Sequence, residues 1–169
     1  MLKLRKNKKG FTLVELIVVI AIMAVLAGVV AGVTVSQLNK QTDKTGATQA
    51  NTVAQFLSQC ALTGDELATQ IIKSVEVTEG SNTTYKNVFE VEKVKELISA
   101  QYTAASIPVV NGENNAIGDK KGQVYITFGG VPEDDDTIAD TVIVTYKHKA
   151  SRTATTTFTI SADGVVTKS

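Results

Sequence analysis

The chain has 169 residues, with 17 basic and 17 acidic side chains, one histidine, one cysteine and no tryptophan. That length allows one globular domain with an appendage. A lone Cys60 excludes an intramolecular disulfide, and one histidine with one cysteine excludes a zinc cluster built from those ligands.

The charge is uneven. Lys3, Arg5, Lys6, Lys8 and Lys9 all precede Gly10, so the other 12 basic residues face all 17 acidic ones, a balance of −5. An acidic remainder argues against binding a phosphate backbone, and no direct nucleic-acid contact is expected.

The run Phe11–Val35 carries a single charge, Glu15. As a helix it spans about 37 Å at ~1.5 Å per residue, more than a hydrocarbon core of ~30 Å. The preceding basic cluster keeps the N-terminus in the cytoplasm. An unpaired carboxylate in such a run is costly. A cleaved signal peptide requires an apolar core of only about 7–15 residues with a small-residue site after it. A plain signal anchor explains the length and the basic flank but not Glu15. Cleavage at Gly10–Phe11 would leave the apolar run on the processed chain.

The stretch K-K-G-F-T-L-V-E-L resembles the N-terminal signature of type IV pilins and pseudopilins. The matching positions are Gly10, Phe11, Thr12, Leu13, Glu15 and the apolar residues through Val35. Each part alone is common; the ordered combination is not. The resemblance is confined to this N-terminal stretch and departs from many pilins at Gly32, where a proline often stands.

The resemblance implies that a prepilin peptidase cuts after Gly10 and methylates the new amine of Phe11. It implies that Glu15 of one subunit approaches the Phe11 amine of another, so that pairing the two charges rewards one axial register. Two other readings of Glu15 compete: pairing within its own subunit near a helix N-terminus, and a headgroup-level residue at the cytoplasmic interface. The implied partners are further copies in a helical filament, related minor pilins, the peptidase, an assembly platform with its motor, and the membrane before assembly. The implied location is the cytoplasmic membrane for the prepilin and the cell surface or exterior for the filament.

No proline precedes Pro108, so the pattern predicts one helix over about 12–62. After Val35 it turns amphipathic, with Leu38, Ala50, Val53, Ala54, Leu57 and Ala61 as the apolar stripe. Gly28 and Gly32 suit either close helix–helix approach or local loosening of the helix. Gly46 reads as a third weak point. The expected divisions are a leader over 1–10, an apolar helix over 11–35, its amphipathic continuation over 36–62, and a head over 63–169.

In the head, Thr63-Gly64-Asp65-Glu66 reads as a capping box before a short helix through Leu67, Ile71 and Ile72. A second start at Asn87-Val88-Phe89-Glu90 predicts a helix over about 88–101. A turn at Gly80-Ser81-Asn82 separates them, and Asn82-Thr83-Thr84 is a chance glycosylation match. Residues 106–122 read as loop. Alternation predicts strands over Gln123–Phe128, Thr141–His148 and Thr153–Ser161, then an Asp163-Gly164 turn and a short strand from Val165 to Thr167. The predicted fold is α+β: a long N-terminal helical spine, half membrane-spanning and half amphipathic, packed on a small antiparallel meander.

Other chemistry is sparse. Glu133-Asp134-Asp135-Asp136 lacks the spacing of a calcium loop and reads as a solvated turn, or as a contact for Lys120-Lys121 or the Lys147–Arg152 hairpin of a neighbouring subunit. His148 falls at a strand end without a nucleophile motif. Gly129-Gly130 is not followed by G-K-[ST]. No catalytic residue, cofactor or metal is expected. The leading expectation is a structural pilin subunit. The alternatives are a pseudopilin of a type II secretion or competence DNA-uptake system, and a non-polymerising, single-pass membrane-anchored binding protein.

Overall fold

The computed structural model describes residues 10–62, 71–79, 81–102, 107–110, 121–151 and 153–169. The chain divides into two compact units, Met1–Leu38 and Asn39–Ser169. Helix α1, Leu13–Leu62, passes from the first into the second.

In the first unit α1 is apolar on every face, and every residue from Gly10 to Leu38 is exposed. Among the described residues, it is the one helix long and apolar enough to cross a membrane. The Thr34 hydroxyl bonds back to the Val30 carbonyl at 2.8 Å, so a polar group in this stretch is satisfied within the helix.

In the second unit α1 becomes one-sided. Asp43, Gly46, Ala50, Val53, Ala54, Leu57, Ser58 and Cys60 are buried, a stripe at helical spacing. The expected Leu38 is not part of it and stays exposed, because it belongs to the first unit, ahead of the stretch that meets the head. Gly46 is not a loosening point either: it is where the head sheet presses closest on the helix. A Cβ there would lie 2.0 Å from Tyr146 Cε2.

The head sheet follows the predicted alternation. β3 (Val124–Gly129), β5 (Thr141–Lys147), β6 (Thr155–Ser161) and β7 (Val166–Lys168) form an antiparallel sheet in the order β3-β5-β6-β7. Val124, Ile126, Phe128, Val142, Val144, Tyr146, Phe158 and Ile160 are buried, as the period of two requires. Gly164 makes the β6–β7 turn at φ +76°, a conformation that favours glycine, and its carbonyl accepts the Ser58 hydroxyl at 2.5 Å. Val109 bridges Ile126 in parallel, so part of the predicted 106–122 loop lines the outer edge of β3; residues 111–120 lie outside the described residues.

A second sheet corrects the sequence reading. β1 (Ile72–Glu79) and β2 (Asn82–Glu90) form an antiparallel hairpin, and the two-residue β4 (Ile138–Ala139) adds to β2. Ile72, expected in a helix, opens β1, and Val88 and Phe89, expected at a helix start, lie in β2. Ser81 lies in a turn, as expected, and Glu79 pairs with Asn82; Gly80 lies outside the described residues. Val75, Val77, Thr83, Thr84 and Tyr85 are residue types that favour strands, and here they prevail over the capping-box resemblance.

Helix α2 spans Val91–Gln101 and starts later than expected. Its N-cap, Glu90, is extended at φ −89° and ψ 107°, with no side-chain cap bond. The Val91 amide donates instead to the Thr137 carbonyl at 2.8 Å. Val91, Val94 and Ile98 face the core. The Thr63–Glu66 box and Leu67 lie outside the described residues.

Candidate functional site

At the start of α1 the chain is open. Gly10 has no atom near its Cα that a side chain would meet, and Phe11 is 90% exposed. Thr12 is the helix N-cap, since its carbonyl accepts the Leu16 amide at 3.3 Å. Its hydroxyl accepts the Glu15 amide at 3.3 Å. Glu15 reaches back: its Oε2 accepts the Thr12 amide at 2.9 Å and the Thr12 hydroxyl at 2.8 Å. This is a reciprocal capping box, and it holds the Glu15 charge at the first turn, where the helix dipole favours an anion. An ionised carboxylate accepts more than two bonds, so capacity remains for a further cation.

These residues lie inside a recognised motif. The prokaryotic N-terminal methylation motif matches residues 5–31. The chain carries the type IV pilin and pseudopilin signature. No curated protein and no solved structure matches the chain. A long N-terminal helix with small antiparallel sheets packed on its outer half is a pilin-like fold. The signature implies prepilin-peptidase processing and pilus assembly, and the apolar helix is long enough for a membrane anchor. The signature ends at residue 31, so the pilin-like head is read from its own contacts.

The head holds a buried carboxylate that the sequence reading missed. Asp43 is 6% exposed and sits on the core-facing stripe of α1. Its Oδ1 accepts the Lys149 amide at 2.6 Å and the Tyr146 hydroxyl at 3.0 Å, and its Oδ2 accepts the Ala150 amide at 2.9 Å. Asp43 thus ties α1 to the β5–β6 turn. Burial pushes its carboxyl up, but the Lys149 and Ala150 amides, the Tyr146 hydroxyl and nearby His148 outweigh this and hold it below the ordinary carboxylate range. Tyr146 moves the other way. Burial, the bond to Asp43 and the Asp43 charge push its phenol up to about 12.

His148 sits just past the end of β5, as expected for a strand end, beside the Tyr146 ring at 5.4 Å and two polar partners. Its Nε2 is 2.8 Å from the Thr156 hydroxyl, and its Nδ1 is 3.8 Å from Asp43 Oδ2. Carboxylate, imidazole and hydroxyl stand in the order of a nucleophile relay. The gap between Nδ1 and Oδ2 exceeds hydrogen-bond reach, however, and both Asp43 oxygens are engaged by backbone amides. The cluster is built as a docking clamp.

The remaining candidates are placed as follows. Cys60 is buried in the core, and burial pushes its thiol up. Among the described residues no group of three His, Cys, Asp or Glu side chains gathers as a metal site. The acidic run forms a turn between β3 and β4, in which Asp135 accepts bonds from the Thr137 amide and hydroxyl, while Glu133, Asp134 and Asp136 are exposed. Lys120 and Arg152 lie outside the described residues.

Proposed function

We propose that this protein is a structural subunit of a type IV pilus or pilus-like filament. The observation that carries the reading is the methylation motif over residues 5–31, with the open Gly10–Phe11 junction next to a capped Glu15. In this reading prepilin peptidase cuts after Gly10 and methylates the Phe11 amine. The capping box satisfies the Glu15 carboxylate in the membrane-held subunit, where an unpaired charge is costly. On assembly the same carboxylate accepts the Phe11 amine of a neighbouring copy and sets the axial register. The apolar stretch of α1 leaves lipid for a bundle of like helices, one apolar environment for another, so extraction avoids the full transfer to water. An assembly motor outside this chain supplies the work.

Pseudopilins share the signature, which keeps a short fibre of a type II secretion or competence system as the second reading. Mass spectrometry of the N-terminus of protein recovered from its native cells tests the proposal. A chain starting at methylated Phe11 supports it. A chain retaining residues 1–10, or cut after the apolar run, overturns it in favour of a non-polymerising anchored protein or a secreted domain. Microscopy of the processed material separates a long surface fibre from a short one.

A further inference from the structure

Among the described residues, the two ends of the four-stranded sheet carry opposite charge. Val124 pairs with Tyr146, so β3 begins where β5 ends, beside the Asp43 clamp. Three segments meet at this end. The Gly122 amide donates to the Lys147 carbonyl at 2.7 Å, and the Lys149 amide donates to Asp43. These segments carry Lys40, Lys44, Lys121 and Lys149, all exposed. Among the described residues of these segments the acidic side chain is Asp43, which is buried and turned to its own amide partners.

At the other end Gly129 pairs with Thr141, and Thr141 pairs with Ser161. The acidic turn and the β6–β7 turn emerge here, bringing Glu133, Asp134, Asp136 and Asp163, all exposed. Lys73 acts on Asp135 at this end, and Asp140 is paired with Lys86 at 2.7 Å; the four exposed carboxylates remain in excess. The length of β5 sets the ends roughly 20 Å apart at ~3.3 Å per residue. That is more than two Debye lengths of about 8 Å at physiological salt, so neither end neutralises the other.

We propose that a second copy of this chain docks its acidic rim, Glu133 to Asp136, on the basic rim of Lys40, Lys44, Lys121 and Lys149. The contact is head to tail: the two patches differ, so each copy retains one unused end and the contact repeats. Opposite rims attract and like rims repel, which orients the approach and rejects the inverted pairing. The proposal deepens the filament reading and rests on it for its purpose, but the contact itself needs only two heads.

The test is carbodiimide coupling on native cells, followed by peptide mass spectrometry. This reagent joins a lysine to a carboxylate only where they touch. The Lys86–Asp140 pair supplies an internal positive control. A peptide joining residues 133–136 to Lys40, Lys44, Lys121 or Lys149 must come from two copies, because roughly 20 Å separates those groups within one head. The expected result is that peptide, reduced at least tenfold in Glu133→Lys/Asp134→Lys/Asp136→Lys. Its absence while the Lys86–Asp140 product forms overturns the proposal. So does basic-rim coupling confined to another protein, or a rim that binds phosphatidylglycerol vesicles without forming the joined peptide. The two readings fail separately. Filaments starting at Phe11 without the joined peptide sink the head-to-tail contact alone, whereas the peptide from a chain still carrying residues 1–10 sinks the filament alone.

Discussion

Gly46 on α1 lies directly under the ring of Tyr146: a Cβ at position 46 would meet Cε2 at 2.0 Å and Cζ at 2.2 Å. The ring has little freedom to retreat. It is 1% exposed, and its hydroxyl is held by Asp43 at 3.0 Å and by the Thr42 carbonyl at 3.3 Å. Gly46→Ala gains up to ~1 kcal/mol of helix propensity and meets an overpacking cost of about 1–3 kcal/mol. At so short a separation the steric cost wins. We expect a net loss of about 1–2 kcal/mol, read as a lowered Tm for the full chain in detergent. An unchanged or raised Tm would show that the helix and sheet separate easily here.

The Asp43 clamp gives the head a definite acid response. Its folded carboxyl is held below the unfolded value of about 3.9. Its contribution is therefore present above that unfolded value and is lost as pH falls through the folded one. Unfolding of the wild type should become easier below about pH 4, and Asp43→Asn should flatten that part of the curve. Asp43→Ala leaves the buried Tyr146 hydroxyl without this acceptor and should cost about 1–3 kcal/mol at neutral pH. Denaturant melts at a series of pH values decide the point; parallel curves for wild type and Asp43→Asn would remove Asp43 as the source.

Tyr146 reports the same clamp from the alkaline side. Its phenol is raised to about 12, so its contribution is complete below the unfolded value of about 10 and is lost as pH rises through about 12. Ultraviolet titration should find a late tyrosine step near pH 12. Tyr146→Phe should delete that late step, and Asp43→Asn should move it towards neutrality. A late step that survives Tyr146→Phe would assign it to another tyrosine.

The four-stranded sheet was legible because one face of each strand is buried: Val142, Val144 and Tyr146 alternate with less buried neighbours along a single period. The β1–β2 hairpin was not, because β2 is exposed from Asn82 through Asn87, and a strand without a buried face writes no alternation into the sequence. The capping-box look-alike at Asn87–Glu90 then pulled the reading towards helix. Asp43 was hidden for another reason. Beside Lys40, Thr42 and Lys44 it looks solvated, and two of its partners are the backbone amides of Lys149 and Ala150, distant in the chain, which no side chain announces. The T-L-V-E cap at residues 12–15 was fully legible, yet the oddity of a charge in an apolar run drew the reading to partners in other subunits first.

Glu15 caps its own helix, and the filament we propose asks it for a second, separable role, a charge offered to a neighbour. Glutamine also closes a capping box, because its side-chain oxygen still accepts the Thr12 amide, but it carries no charge. Glu15→Gln should therefore preserve the first turn of α1, while Glu15→Ala frays it. If the charge sets the register, both variants are processed normally and both lose most filament yield. If capping is the whole role, Glu15→Gln assembles like the wild type and only Glu15→Ala fails. Shearing filaments from cells, quantifying the subunit, and confirming a Phe11 N-terminus in each variant separates these outcomes. Normal yield from Glu15→Ala would eliminate both roles together.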